Sequence, residues 1–326
     1  MSSKIVSIVI VAAGKKDYFK SLLDSLREQT YHFFEVIVID NSLNYDFSFG
    51  LIRDYPEVKL FSSSKNLFYC QALNKGIEMS KGDFILCLND DVILDKRFIE
   101  EALRGFQIRE NIGMVSGKIL RGDRKTLDST GLFLSAYRSA RERGYGIKDR
   151  GQFDKEGCIF GVNGAVGFYR KKMLEDIKLS GEYFDSDFSF FYEDLDLAWR
   201  AHNLGWKGYY IPRAVAYHLR GGTARSGRGI NKKFARIYLN NELHFNLIKN
   251  RYLTIIKNEN LLDLLILFPL VIFYDIFVWG YILFFRFKVL NLFFSKGIPI
   301  NSAFRKRIIL KKMKNTAFKK PVQRLK

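Results

Sequence analysis

The sequence predicts an α/β fold: a mainly parallel sheet flanked by helices, followed by a helical, apolar and basic C-terminal extension. Two observations carry the sheet. Lys4 to Ala12 is an unbroken β-branched run, the pattern of a strand buried on both faces. Helix-period and strand-like segments then alternate up to about residue 90, as in β-α-β units. A third observation carries the extension. From Ile276 to Lys326 there is no Asp or Glu, while Lys and Arg recur throughout.

Asp17 to Gln29 places Phe19, Leu22, Leu23 and Leu26 on one helix face. Phe34 to Ile39 reads as the next strand and ends in Asp40-Asn41-Ser42. Val58 to Phe61 is a short strand, and Ala72 to Met79 a helix closed by Lys81-Gly82. Phe84 to Leu88 is a strand running into Asn89-Asp90-Asp91. In open α/β sheets the ligand crevice lies beyond the carboxyl ends of the strands. Ala12-Ala13-Gly14, Asp40-Asn41 and Asn89-Asp90-Asp91 are therefore expected to converge. Beyond residue 110 the pattern is less regular. Ile112 to Ser116 and Gly167 to Arg170 look like strands, Glu193 to Leu204 looks helical, and short strands at Trp206 to Ile211 and Ala214 to His218 flank Pro212.

The chain has 326 residues, 48% of them apolar, and a formal charge of +19. A buried core is available, and the charge calls for anionic partners: phosphate-bearing substrates, anionic lipid or nucleic acid. Cys70, Cys87 and Cys158 are odd in number and have no paired spacing, which argues against a disulfide framework or a zinc site and for a reducing compartment. No signal peptide is expected, because the apolar run at residues 5–13 is short and leads into Gly14-Lys15-Lys16-Asp17. Leu264 to Phe285 approaches the ~20 residues that cross a bilayer. Pro269 and Asp275 interrupt it, and an uncompensated Asp in lipid is costly. Interfacial or re-entrant attachment is favoured over spanning, with the basic residues on the cytoplasmic leaflet. Composition shifts near 225–260, and the division adopted is residues 1–228 for a catalytic domain and 229–326 for a membrane-associating region.

Two adjacent carboxylates, Asp90 and Asp91, at a strand end repel each other, and a hard divalent cation relieves that repulsion. Mg2+ or Mn2+ held there would neutralise a diphosphate leaving group. The plainer alternative is a helix N-cap before Lys96. Glu193-Asp194-x-Asp196 opens a helix, where the dipole alone favours acids. Three carboxylates in four residues exceed capping needs, and one could serve as general base toward an acceptor hydroxyl. His218 ends a strand before the glycine-rich basic stretch 221–229; it is either structural or a further metal ligand. Arg225 and its neighbours could clamp a pyrophosphate, or simply be solvated. Asp40 could accept from a base or ribose, or form an Asx-turn.

Taken together, these segments resemble the family 2 glycosyltransferases of GT-A fold, from about Val6 to Ser226. The resemblance is carried by Val6-Ser7-Ile8-Val9-Ile10 with Ser25 to Tyr31 and Phe34 to Ser42, by Asn66-Leu67-Phe68 with Ala72 to Ile77, by Asn89-Asp90-Asp91 at the D-x-D place, and by Glu193-Asp194-x-Asp196-Leu197 followed by Gly205-Trp206 and Ala216-Tyr217-His218. It implies a nucleotide-sugar donor bound by Ala12, Ala13, Asp40, Asn66, Asn74, Asn89, Asp90 and Arg225. It implies Mg2+ or Mn2+ on Asp91 and His218, and Asp194 as general base supported by Glu193. Asn163, Gly164 and Asp196 fall on the acceptor side. The implied reaction is a single displacement with inversion. Asn89 at the first D-x-D position resembles the rhamnosyltransferase-like branch and points to dTDP-rhamnose or a related donor. Ala12-Ala13-Gly14-Lys15 departs from the usual Pro-x-x-Asn type.

The extension suits a saccharide or lipid-linked acceptor at the cytoplasmic membrane face, as in cell-surface polysaccharide assembly. Three rivals are weighed. A nucleotidyltransferase should carry a richer Gly/Arg/Lys loop after the first strand than Gly14-Lys15-Lys16. A nucleic-acid-binding protein would not concentrate its basic residues beside an aromatic apolar segment. A non-catalytic sugar-nucleotide-binding scaffold would share the motifs without turnover. The sequence leaves homo-oligomer formation open.

Overall fold

The computed structural model describes residues 4–12, 16–43, 50–51, 53–220 and 239–319. Ala13 and Arg225, expected at the donor, lie outside these residues, as does the glycine-rich stretch 221–229.

The sheet begins with β1 (Val6–Ala12), α1 (Lys16–Arg27), β2 (Phe34–Asp40) and β3 (Lys59–Ser62), and continues with α2 (Phe68–Glu78), β4 (Phe84–Asn89) and β5 (Val92–Leu94). β1 pairs in parallel with both β2 and β4, and β2 with β3. The β-branched run of β1 is buried on both faces, as its composition requires. Val6, Ile8, Ile10 and Ala12 pack with Phe19, Leu22, Leu23 and Leu26 of α1. Val9, one residue out of phase, packs with Leu73 and Ile77 of α2. Each such side chain contributes roughly 1.5–3 kcal/mol of transfer free energy.

The second half departs from the expected parallel order. After α3 (Phe98–Gly105) come β6 (Ile112–Arg121), β7 (Leu127–Ser129), β8 (Leu132–Leu134), β9 (Ala140–Glu142), β10 (Gly157–Ile159), β11 (Val166–Arg170) and α4 (Lys171–Asp176), then α5 (Glu193–Asn203) and β12 (Lys207–His218). The strand order is β10-β12-β6-β11-β4-β1-β2-β3, with β5 beside β12 and β7 beside β6. β11 runs antiparallel to both β4 and β6, so the sheet is mixed. The reason is local: no described helix lies between β6 and β11 to return the chain in the same direction. β8 and β9 form a separate antiparallel hairpin. The two short strands expected around Pro212 are one strand, β12, whose register against β6 shifts between Ile211 and Val215. That irregularity accommodates the proline within the ladder.

Four helices close the chain: α6 (Asn241–Asn258), α7 (Leu261–Phe285), α8 (Lys288–Lys296) and α9 (Ile300–Lys319). Asn240 caps α6 by accepting from the Leu243 amide, and Asn260 caps α7 by accepting from the Leu262 amide. Contrary to expectation, Pro269 and Asp275 do not interrupt the apolar segment, which is one continuous helix. Asp275 is compensated: Arg251 Nη1 of α6 donates to its Oδ1 at 2.5 Å. By length and composition α7 suffices to cross a membrane.

Gly117 of β6 lies where its neighbours leave no room for a side chain. A Cβ there would sit 2.1 Å from the Ala214 carbonyl oxygen and 2.8 Å from Phe98 Cε2. Gly117→Ala is expected to cost on the order of 1–3 kcal/mol, as overpacking does, and to lower the melting temperature by several degrees. An unchanged melting curve would show that β12 yields freely at its bulge.

Candidate active site

Strand register assembles the donor-side residues. Ala12 stands opposite Asp40, Val11 opposite Asn89, and Asp40 opposite Ser62, so the ends of β1, β2 and β4 are level. Asp40 is buried and its Oδ1 accepts from the Ser42 amide at 2.9 Å and from the Ser42 hydroxyl at 2.5 Å, an Asx-turn. Asn66 ties the neighbouring loops, accepting from Asn41 Nδ2 at 3.0 Å and from the Phe68 amide at 2.8 Å. Asn74 is occupied elsewhere. Its Nδ2 donates to the Phe184 carbonyl, and its Oδ1 accepts from the Tyr183 and Phe184 amides. It pins the 183–184 backbone to α2.

The second group forms where β5 meets β12. Val92 pairs with His218, and the Leu219 amide donates to the Asp91 carbonyl at 2.9 Å. A strand therefore follows Asp91 directly, and the helix after it starts at Phe98 with no side-chain cap, so the N-cap alternative does not apply. His218 Nε2 lies 3.2 Å from Asp91 Oδ1, and Nδ1 lies 2.8 Å from Asp128 Oδ2. Asp128 is fully buried and also accepts from Arg220 Nε at 2.7 Å and Nη2 at 2.9 Å. Burial opposes its charge, but His218 and Arg220 outweigh that and hold the carboxyl well below the usual range. Ionised Asp128 can only accept, so His218 Nδ1 carries a proton. Burial likewise opposes charge on His218, yet Asp128 and Asp91 push its pKa up to about 9.

The same geometry fits a cation. His218 Nε2 is buried without an aligned hydrogen-bond partner. A neutral ring with Nδ1–H on Asp128 would turn the Nε2 lone pair toward Asp91, the carboxylate–histidine arrangement that orients a metal ligand. No group of three or more His, Cys, Asp or Glu is arranged to hold a metal among the described residues. Asp91 and His218 would supply two ligands, leaving the others to phosphate oxygens and water, as Mg2+ commonly requires.

The third group surrounds Gly164. The Gly164 amide donates to Asp194 Oδ2 at 3.1 Å. A Cβ on Gly164 would stand 3.2 Å from Glu193 Oε1 and 3.4 Å from Asp194 Oδ2, so the missing side chain lets both carboxylates close in. Burial, then the charge of Asp194, pushes Glu193 up to about 8, and burial raises Asp194. Glu142 of β9 joins them. It accepts from Ser129 Oγ and, at 2.6 Å, from Asn163 Nδ2, and burial with a contribution from Asp194 pushes it up to about 8. Tyr69 connects the groups: its hydroxyl lies 2.9 Å from both Asn89 Oδ1 and the Gly164 carbonyl. Asn89, beside Asp90 and Asp91, and Gly164, whose amide holds Asp194, are thus joined through one hydroxyl.

Asp196 does not join them. It is fully buried, accepting from Arg200 Nε at 3.0 Å and Asn258 Nδ2 at 2.7 Å, with Lys257 Nζ at 2.9 Å. Its expected acceptor-side role is replaced by a structural one: it seats α6 behind the acid pair. Spacing within the E-D motif could not reveal this, because its partners lie up to 62 residues away. Asp128, Glu142 and Tyr69 were missed in the sequence, where none stands in a recognisable motif.

A family model described as "Glycosyl transferase family 2" matches residues 7–177. The chain belongs to glycosyl transferase family 2. The family 2 match includes Asn89 to Asp91 and ends before Glu193. This family 2 chain is 22% identical over 226 residues to the poly-beta-1,6-N-acetyl-D-glucosamine synthase of Staphylococcus epidermidis, covering 66% of this chain and 50% of that protein. It is 21% identical, with the same coverage, to the synthase of that name in Staphylococcus aureus (strain MSSA476). The chain thus spans about half the length of the curated relatives it matches. Its GT-A fold is shared with GalNAc-T7, crystallised with UDP, GalNAc and Mn2+. The TM-score is 0.56 at 12% identity, covering 78% of this chain and 48% of that one.

The acid pair is held by strained backbone. Phe191 and Tyr192 adopt φ of 67° and 70°, left-handed values that cost non-glycine residues about 1–3 kcal/mol each. Asn250 of α6 secures them, its Nδ2 donating to the Phe190 carbonyl at 2.6 Å and the Phe191 carbonyl at 2.8 Å. Asn250→Ala is expected to lower stability by about 1–3 kcal/mol through unsatisfied carbonyls. It should also lower kcat more than it weakens donor binding. A loss confined to donor affinity would show that α6 does not position the acids.

Proposed function

We propose that this chain is an inverting, metal-dependent glycosyltransferase. It moves a sugar from a nucleoside diphosphate donor, dTDP-rhamnose or a UDP-sugar, to a saccharide or lipid-linked acceptor in cell-surface polysaccharide assembly. The observation that supports it is the Tyr69 bridge, which sets a cation-compatible pair, Asp91 and His218, beside a carboxylate pair raised above the ordinary range. A leaving diphosphate and an attacking hydroxyl need those two environments side by side.

Donor recognition falls to the ends of β1, β2 and β4, with Ala12, Asp40 and Asn89 level with one another. Mg2+ or Mn2+ at Asp91 and His218 would supply neutralisation of the diphosphate charge. Asp128 orients His218 and shares its charge with Arg220. Asp194, half-buried and steadied by the Gly164 amide, takes the proton of the acceptor hydroxyl. Glu193 and Glu142, both pushed up to about 8 and so largely protonated at neutral pH, leave Asp194 as the group that ionises first, and Asn163 donates to Glu142. Residues 1–228 form the catalytic unit in this reading. Residues 229–326 attach it to the cytoplasmic face of the membrane, where anionic lipid meets the basic tail.

Asp194→Asn is expected to abolish transfer while leaving donor affinity within about twofold, since only the base is lost. Calorimetric titration of the donor checks this, and an equal loss of binding would contradict the role. Asp91→Ala should remove the Mn2+-dependent part of donor binding and of the thermal shift. An unchanged Mn2+ titration would reject the metal assignment.

The pH profile follows from the direction of the Asp194 shift. A carboxyl raised in the folded enzyme keeps its proton above the ordinary carboxylate range. kcat should therefore rise with pH above the ordinary carboxylate range, as the base ionises. A rate that reaches its plateau within the ordinary carboxylate range would remove Asp194 as the base.

A further inference from the structure

Among the described residues, α7 carries a broad exposed apolar surface, on which Leu265, Ile266, Phe273, Ile276, Phe277 and Phe284 all face outward. Its opposite side is fastened to the catalytic unit at mid-length. Tyr274 stacks on Tyr137 of the β8–β9 turn, with ring centroids 5.1 Å apart and planes 3° apart. Arg251 donates from Nη1 to Asp275 and from Nη2 to the Tyr137 carbonyl, at 2.5 and 2.6 Å. Trp279 Nε1 donates to Tyr252 of α6 at 2.8 Å. At the start of the helix Arg138, next to Tyr137, pairs with Glu259.

This fastening is incompatible with a transverse helix. Tyr274 and Asp275 are central in α7, so crossing the bilayer would draw Tyr137, Arg251 and the 135–139 turn to its middle. Irregular backbone exposed to lipid leaves amides and carbonyls without partners, and such structure does not occur there. We propose that α7 lies in the plane of the membrane interface, apolar side in an anionic bilayer and polar side on the protein. The lipid commitment rests on charge as well. Lys288, Arg305, Lys311, Lys312 and Lys314 are exposed, and no acidic residue follows Asp275. Anionic headgroups attract such a cluster of basic side chains near the surface.

The orientation deepens the glycosyltransferase reading and rests on it for the acceptor. Tyr137, in the turn packed against the protein-facing side of α7, and Glu142, beside Asn163, belong to one hairpin. A lipid-linked acceptor held in the bilayer then meets Asp194 along that hairpin, without leaving the membrane.

The test uses the full chain bound to preformed vesicles of phosphatidylglycerol and phosphatidylcholine. Cys158→Ser removes the exposed thiol, while Cys70 and Cys87 are buried. Single cysteines then replace Asp263 or Lys288, exposed polar residues at the start of α7 and just past its end. A membrane-impermeant maleimide added outside should label both. In a separate Tyr137→Cys/Tyr274→Cys variant, a short thiol-to-thiol crosslinker should join the pair on vesicle-bound protein. Vesicles lacking phosphatidylglycerol should retain several-fold less protein. Labelling at either end that appears only after detergent, or a crosslink absent on vesicles, overturns the in-plane orientation. Equal retention on both vesicles overturns the anionic partner. Transfer assayed in detergent on the same preparations is read separately, so a failed enzymatic reading leaves the labelling result standing, and the reverse.

Discussion

The site depends on a single hydroxyl. Tyr69 stands between Asn89, at the end of β4, and the carbonyl of Gly164, whose amide holds Asp194. One side of that hydroxyl belongs to the parallel half of the sheet and the other to the antiparallel half. Burial pushes its pKa well above the ordinary tyrosine value, with the charge of Glu193 adding to the effect, so it remains a donor throughout the useful pH range. Gly164 is as tightly constrained, since a side chain there would meet both carboxylates.

Charges behind the pocket extend this constraint to the C-terminal helices. Lys257 of α6 pairs with Asp185 and Asp196, and Lys306 of α9 with Asp185 and Asp187. Breaking one partner of a buried pair costs about 3–5 kcal/mol, because the other charge is left uncompensated. The loop 185–192, which leads into Glu193 and Asp194, is thus set by residues far downstream. The C-terminal helices are thus tied by ion pairs and hydrogen bonds to the loop that leads into the acid pair.

Much of this was legible in the sequence because it is local. The β-branched run of β1, the helix-period leucines of α1 and the polar residues ending β1, β2 and β4 follow from periods of two and 3.6. The Asp91–His218 neighbourhood was legible only through resemblance; in the structure it arises from a three-residue pairing of β5 with β12. Asp128 and Glu142 were illegible for a physical reason. They sit in short strands between residues 127 and 142, where no periodicity marks a buried face, and their partners are 90 and 21 positions away. Asp196 and Asn74 have partners that motif placement did not reveal. Motif placement suggested ligand contact, but buried polar groups must find partners, and these found them inside the protein. Asp275 was misjudged for the same cause, its compensating Arg251 lying on the preceding helix.

The most direct test of one shared pocket is a crystal of the full chain grown with Mn2+ and UDP, measured by anomalous scattering at the manganese edge. The account predicts a single strong peak in contact with Asp91 and His218, with diphosphate density reaching from it toward the Gly164–Asp194 corner. A peak elsewhere, or a diphosphate turned away from Asp194, would contradict it.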